Sequence, residues 1–336
     1  MQNKLKRLLI DLLPIVFWCI AIVLLIAFAY KNSSLQLWQV ALLTLAGLII
    51  NYFLSLFFHE LGHLAFAKKN KAKTASVNFG LFTVDKKQKR VKLFTAFGEN
   101  AGSSEFVTVD KISAERVRSI AFGGLLFHLA YVLGVFLVIL LVKNTILFSL
   151  FGIGGLSACY LLTVNLLPFD KSADGAVVLR TEYAEAVAQI SNLELAVKRD
   201  ENIQLNDFLN RSNQPLAKYC KYFILSLQDS KVAIDFLNID QNADLTDQEY
   251  GLLFPEMLFK ACINGEVGEK LKNRAENYFS AQSLSICDLR AHYAFRLFTG
   301  ESEWAKSILL TYNQELQNLP NKQKQSENNL FSLIKK

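Results

Sequence analysis

Paired cysteines are absent from this sequence. The chain has only five cysteines in 336 residues, all isolated and without a C-x-x-C pair: Cys19, Cys159, Cys220, Cys262 and Cys287. This pattern suggests neither a disulfide framework nor a cysteine zinc site, and it is typical of buried thiols in a reducing compartment. A small-x-small cleavage site is also missing after the first apolar segment, which is therefore predicted to be a retained helix rather than a signal peptide.

Charged side chains are scarce. They make up 20% of the chain, hydrophobic residues make up 52%, and the mean hydropathy is +0.24, which is too apolar for a pair of soluble domains. Four apolar segments are each long enough to cross the roughly 30 Å hydrocarbon layer of a bilayer. They cover residues 8 to 30, 37 to 67, 119 to 142 and 146 to 168. The sequence therefore predicts a mainly α, multi-pass integral membrane protein with four transmembrane helices.

Lysine and arginine are unevenly distributed around these segments. Lys4, Lys6 and Arg7 precede the first, twelve basic residues lie between the second and third, and the two short loops have only Lys31 and Lys143. The positive-inside rule therefore predicts that both termini and the long middle loop are cytosolic, with the plasma membrane of a bacterium as the site. Because the basic residues lie beside the membrane, the net charge of +6 requires no nucleic acid partner.

The segment after the second span changes character. Short apolar and β-branched runs, SVNFGLFTV, RVKLFTAF and EFVTV, are separated by charged residues and glycines. This pattern predicts two or three strands of a small sheet at the membrane surface, in a β-rich loop at about residues 74 to 110.

Helical spacing takes over beyond residue 176. Ser230, Gly265 and Gly300 align in steps of 35 residues, which resembles tetratricopeptide-type repeats, with a plain helical bundle as the alternative. The predicted organisation is a transmembrane helix (1–35), a membrane-embedded core (36–180) and a cytosolic helical region (181–336). The helical region is expected to bind a cytosolic partner or to stabilise the core.

The stretch FFHELGHLAFA, residues 57 to 67, has the strongest chemical signal. His59 and His63 are four residues apart, so in a helix both imidazoles lie on one face and can share a metal. Glu60 is then placed to act as a general base. Such groups in a transmembrane span cost on the order of several kcal/mol unless they are paired, coordinated or hydrated, which favours a metal site over a chance match.

Two imidazoles do not complete a catalytic zinc site, which needs a third protein ligand and an open position. His292 lies in the remote helical region, and His128 lies in the middle of the third span. The better candidates are Asp170 and Asp174 in NLLPFDKSADG, at the end of the fourth span.

Three separate pieces of the chain resemble the site-2 protease family of intramembrane zinc metalloproteases, which are M50-type metallopeptidases. They are HELGH at 59 to 63, FGGLLFHLAYVLG at 122 to 134 and NLLPFDKSADG at 165 to 175, in a core from about residue 37 to residue 180. The resemblance implies one Zn²⁺ per chain, with His59 and His63 as ligands and Glu60 as the general base.

The third piece is similar to the family pattern N-x-x-P-x-x-x-x-D-G. Asn165 and Pro168 match, but five residues rather than four precede the Asp-Gly pair. The resemblance therefore implies Asp174 as the third zinc ligand, with Asp170 as the alternative, and Asn165 as a residue that helps to hold the substrate.

The second piece is similar to the family pattern G-P-x-x-N. Leu125 replaces the proline and His128 replaces the asparagine. His128 is expected either to hydrogen-bond a substrate or internal water, or to be a buried imidazole satisfied by a neighbouring helix. Gly123, Gly124 and Gly134 are expected to permit close helix packing.

These expectations lead to a zinc endopeptidase that cleaves membrane-embedded or juxtamembrane peptide bonds near the cytosolic face. Its substrate would be a membrane-anchored protein or peptide, held extended by addition to the predicted strands. The alternative is a non-proteolytic membrane scaffold or regulator with a structural metal site and a partner-binding helical C-terminal region. A zinc transporter is weaker, because four spans with one cation site provide no second gate. Glu60 favours the enzyme, since a structural metal site has no use for it.

Overall fold

Helices dominate the computed structural model. It describes residues 2 to 86, 89 to 93, 103 to 108, 110 to 167, 173 to 238, 248 to 281 and 284 to 334. The chain divides into two units, Met1–Glu185 and Ala186–Lys336. The domain boundaries expected after residues 35 and 180 stay predictions.

The first unit contains the apolar helices. They are α1 Gln2–Lys31, α2 Leu37–Lys69, α3 Ala114–Leu141, α4 Thr145–Leu147, a π-helix at Phe148–Ile153, α5 Leu156–Leu166 and α6 Asp174–Leu179. Within the described residues, three stretches are long and apolar enough to cross a membrane: Leu37–Lys69, Ala114–Leu141 and Thr145–Leu166. The described apolar part of α1, Ile15–Lys31, is shorter, so its crossing and the total of four spans stay predictions.

The last of these stretches is not a uniform α-helix. Its π-helix meets α2 backbone to backbone, because a Cβ on Gly47 would lie only 2.3 Å from the carbonyl oxygen of Leu150. The Asn51 side chain links the two helices by donating hydrogen bonds from Nδ2 to the carbonyl oxygens of Gly47 (2.7 Å) and Leu150 (2.8 Å). Close packing thereby fixes α2, the helix that contains the HELGH motif.

A four-stranded antiparallel sheet follows α2. Its strands are β1 Ala72–Asn78, β2 Phe82–Asp85, β3 Arg90–Leu93 and β4 Ser103–Thr108, in the order β3-β2-β1-β4. The expectation of two or three strands was wrong. The run SVNFGLFTV forms two strands instead of one, because the chain reverses at Gly80, whose φ of +86° favours glycine.

The second unit is built from α-helices. They are α7 Thr181–Lys198, whose first residues belong to the first unit, and then α8 Asp207–Arg211, α9 Pro215–Gln228, α10 Ser230–Phe236, α11 Gln248–Asn264, α12 Glu269–Ala281, α13 Ile286–Phe298, α14 Ser302–Gln317 and α15 Asn321–Phe331. The three positions aligned in the sequence coincide with the turns between α9 and α10, α11 and α12, and α13 and α14. Gly265 and Gly300 end their helices with φ of +72° and +81°. The assignment of these helix pairs to the tetratricopeptide class stays a prediction.

The core of the second unit includes charged groups. Arg290 is completely buried and forms ion pairs with Glu256 (2.8 Å) and Glu327 (2.9 Å). The hydroxyl of Tyr222 donates to Glu256 at 2.6 Å, and the guanidinium lies 4.3 Å from the ring centroid of Phe259. Each carboxylate in this cluster is therefore paired with a cation and with hydrogen-bond donors.

Candidate metal centre

The HELGH motif lies on α2 and is buried. His59 is 5% exposed, Glu60 1% and His63 8%. The two histidines are one helical turn apart, and their Nε2 atoms are separated by 3.1 Å. As the four-residue spacing predicts, both imidazoles face the same point.

Asp174, the first residue of α6, reaches the same point. Its Oδ2 lies 2.9 Å from Nε2 of His59 and 3.0 Å from Nε2 of His63. Gly175 permits this approach, because a Cβ there would lie 2.3 Å from the carbonyl oxygen of Leu166 at the end of α5. The alternative ligand Asp170, like Pro168, lies outside the described residues.

The spacing of these three atoms fits a zinc ion. With bonds of about 2.0–2.2 Å, a tetrahedral ion separates its ligand atoms by roughly 3.3–3.6 Å, so the three atoms need to spread by only a few tenths of an ångström. Glu60 also lies in this group, within 4.8 Å of both histidines measured between ligand atoms. The single carboxylate oxygen of Asp174 contacts both imidazoles, so its position fits a third ligand better than that of Glu60 does.

Asp174 is held in the form that binds a metal. Burial by itself raises the pKa of its carboxyl, but His63 and His59 attract and hydrogen-bond the carboxylate and outweigh that effect. The net result is a pKa below the ordinary value for aspartate. Ionised carboxylates and neutral imidazoles are the forms that ligate zinc.

His63 is oriented by a hydrogen bond from its other ring nitrogen, the one that does not face His59 and Asp174. Its Nδ1 lies 2.9 Å from the carbonyl oxygen of Ile120 on α3. A carbonyl oxygen only accepts, so Nδ1 has the proton, and Nε2, which faces Asp174, is the nitrogen that can bind a metal once it has lost its own proton. Outer hydrogen bonds of this kind set the tautomer and the orientation of metal-ligating histidines.

Two glycines of α3 make room for the motif. A Cβ on Gly124 would lie 2.4 Å from Nε2 of His63, and a Cβ on Gly62 of α2 would lie 2.2 Å from the carbonyl oxygen of Gly123. The expected packing role therefore holds for Gly123 and Gly124. It is wrong for Gly134, because a Cβ at this position would have no described atom within 4 Å.

Ser104 is a site residue that the sequence did not identify. It lies on β4, and its Oγ donates a hydrogen bond to Oε2 of Glu60. The two residues are 44 positions apart, and no motif links them. The sheet therefore contacts the expected general base directly.

A cavity of about 370 Å³ adjoins these groups. Its lining includes His59, Glu60, His63, Ser104, Asn165 and Asp174. Asn165 thus lines the same cavity as His59, His63 and Asp174, and its expected contact with a substrate stays a prediction. His128 is not among the lining residues. It is completely buried, and its Nε2 donates to the carbonyl oxygen of Ala158 on α5 at 3.0 Å.

The model of one peptidase family matches residues 47 to 334 of the chain. No curated protein and no solved structure matches the chain. The family match covers α2 from Gly47 onward, including the HELGH motif, then α3, α5 and α6, and it extends through the second unit. The chain therefore belongs to peptidase family M50, a family of membrane metallopeptidases.

Proposed function

We propose that this protein is a zinc endopeptidase that hydrolyses peptide bonds within or next to the membrane, near its cytosolic face. The substrate is a membrane-anchored protein or peptide. The observation that carries the proposal is the convergence of three ligand atoms, Nε2 of His59, Nε2 of His63 and Oδ2 of Asp174, within 3.1 Å of one another. Glu60 and a cavity lie beside them.

One zinc ion per chain would be held by His59, His63 and Asp174. When bound, it would polarise the scissile carbonyl as a Lewis acid and lower the pKa of water, so that a strong nucleophile is available at neutral pH.

Glu60 is the general base. It accepts the proton of the attacking water and delivers it to the leaving amine. The hydroxyl of Ser104 bonds Oε2 of Glu60, so proton transfer is assigned to Oε1, and Ser104 sets the direction in which the carboxylate points.

The substrate is bound extended along β4. Within the described sheet, β4 pairs only with β1, and Ser103, Ser104 and Phe106 of β4 line the cavity. A segment added to the outer edge of β4 would pass Glu60, and Asn165 lines the same cavity. We expect Phe106→Ala to slow cleavage and Val91→Ala on β3 to have little effect. Equal rates in the two variants would argue against strand addition at β4.

The proposed location is a bacterial plasma membrane, crossed several times, with both termini in the cytosol. Lys68 and Lys69 at the end of α2 support this orientation, because basic residues flank membrane spans on the cytosolic side. The second unit would recruit a cytosolic partner.

The first test is metal content, measured by elemental mass spectrometry on protein purified in detergent. We expect about one zinc per chain in the wild type, by the coordination rule for a three-ligand site. Zinc should be lost in His59→Ala, His63→Ala and Asp174→Ala, and kept in Asp170→Ala. Loss in Asp170→Ala with retention in Asp174→Ala would reverse the ligand assignment. A folded wild type that binds no zinc would reject the centre.

Glu60→Gln separates the peptidase from the scaffold. The variant should keep its zinc and lose cleavage of a membrane-anchored substrate by about 10²–10⁴-fold, the usual contribution of a general base. A scaffold with a structural metal site tolerates this change, so full biological activity of Glu60→Gln would favour that alternative.

A further inference from the structure

His59 differs from His63 in one respect. Nδ1 of His63 is bonded to the carbonyl oxygen of Ile120, whereas Nδ1 of His59 is buried and has no hydrogen-bond partner in the part of the chain that the structure describes. If Nε2 of His59 holds the metal, Nδ1 has the proton and is a buried donor. A buried donor without a partner costs roughly 1–3 kcal/mol, and metal-ligating histidines almost always use this group.

His128 offers the complementary group. Its Nε2 lies 3.0 Å from the carbonyl oxygen of Ala158, which only accepts, so Nε2 has the proton. In the neutral ring Nδ1 is then an acceptor. This atom is also buried, and it too lacks a partner among the described residues.

The two rings are neighbours. Their centroids are 5.4 Å apart, with an angle of 77° between the planes. We propose that His128 is a positioning residue for the metal centre: its Nδ1 accepts the Nδ1–H of His59, directly after a small ring rotation or through one buried water. Either arrangement satisfies both nitrogens, because a water accepts from His59 and donates to His128.

This bond gives each zinc-binding histidine its own anchor. Ile120 on α3 orients His63. A series of hydrogen bonds from Ala158 through His128 to His59 links α5 through α3 to α2. The side chain at position 128 has to accept a hydrogen bond from His59. A neutral imidazole that donates from one ring nitrogen to a carbonyl oxygen always has an acceptor at its other nitrogen. The inference rests on the proposed zinc site, and it assigns His128 to the ligand rather than to the substrate.

Zinc affinity of the full-length protein, measured by competition with a chelator, tests the assignment. We expect His128→Leu, which removes the acceptor at similar volume, to weaken zinc binding by about 10–100-fold, the usual effect of losing an outer hydrogen bond. His128→Gln offers an amide oxygen as acceptor and should restore most of the affinity. Leu125→Ala, a buried apolar change on the same helix, is the control for lost packing and should leave the affinity unchanged.

Each result decides a different question. A His128→Leu affinity within about twofold of wild type overturns the role of His128 and leaves the zinc site intact, given that removal of such a bond costs at least tenfold. Equal weakening in His128→Leu and His128→Gln also overturns it. If the Leu variant does not fold, His128→Ala replaces it in the comparison with Gln. Absence of zinc from the folded wild type rejects the proposed function itself.

Discussion

Each unit of this protein buries a cluster of ionisable side chains, and the two clusters differ in how their charges are balanced. In the second unit the cation Arg290 lies between Glu256 and Glu327, and the hydroxyls of Tyr222 and Tyr312 donate to the carboxylates. In the first unit two imidazole nitrogens and a carboxylate oxygen converge, and the described residues that line the adjoining cavity include no lysine or arginine.

The difference indicates what each cluster is for. In the second unit the guanidinium and the tyrosine hydroxyls that face the two carboxylates come from the chain itself, and removal of a partner from such a buried group is strongly destabilising. Two imidazole nitrogens and a carboxylate oxygen that converge on one point can bind a cation from outside the chain once the imidazoles are neutral, which is the property of a metal site. The comparison predicts that damage to the first cluster changes metal binding and catalysis, whereas damage to the second changes stability.

The largest expected effect is on the second cluster. Arg290→Met leaves two buried carboxylates uncompensated and should lower the free energy of unfolding of this unit by about 3–5 kcal/mol. Hydrogen exchange of α11 and α13 peptides in the full-length protein measures it. Arg199→Met, which breaks an exposed pair with Glu201, is the control and should cost less than about 1 kcal/mol. Zinc loss per folded molecule in Arg290→Met would contradict the division of roles.

Next in size is a change at the first cluster. Gly124→Ala places a Cβ against Nε2 of His63, so the imidazole has to move. Displacement of a catalytic group by about 1 Å costs on the order of 10²-fold in rate, and we expect at least that loss together with weaker zinc binding. Gly134→Ala on the same helix meets open space and should be nearly neutral. Comparable losses in both variants would indicate general damage to α3.

A smaller effect concerns the second unit, whose stability should depend on pH through His292. Burial, and then the neighbouring Arg296, lower the pKa of His292 to about 4, and Nε of Arg296 donates to its Nε2 at 3.0 Å. The unfolded chain, with a histidine pKa of about 6.5, binds the proton more readily, so stability is complete above pH 6.5 and falls as the pH drops toward 4.

Between pH 7 and pH 5 this residue should therefore cost the second unit about 1–2 kcal/mol. His292→Gln keeps an acceptor for Arg296 and does not titrate, so its unfolding free energy should change less over the same range. Hydrogen exchange at the two pH values makes the comparison, and identical changes in the wild type and the variant would refute the prediction.

The smallest effect concerns the orientation of the base. Ser104→Ala removes the hydrogen bond to Glu60 and should lower kcat about tenfold, or about 1.4 kcal/mol, with little change in KM or zinc content. Ser104→Thr keeps the hydroxyl and should recover most of the rate. Ser76→Ala removes another serine-to-glutamate bond of the same sheet, to Glu105, and should leave kcat unchanged. A larger effect on KM than on kcat would assign Ser104 to substrate binding instead.

Sequence reasoning succeeded where the physics is local. Hydropathy over twenty residues predicted the three described helices that are long and apolar enough to cross a membrane, and a spacing of four predicted that His59 and His63 share a helix face. It was less successful where short segments compete. The reversal at Gly80 divided one expected strand into two, and the fourth apolar segment contains a π-helix that composition does not reveal.

The sequence by itself determined the membrane character of the protein, its family motifs and the residue types available for a metal, because these depend on composition and on neighbours within a turn or two. Only the tertiary structure decided that Asp174 reaches both histidines, that Ser104 bonds Glu60, and that His128 faces His59 rather than the cavity. These contacts join residues many positions apart on different elements. Their existence depends on how closely helices and strands pack, which the order of residues along the chain does not express.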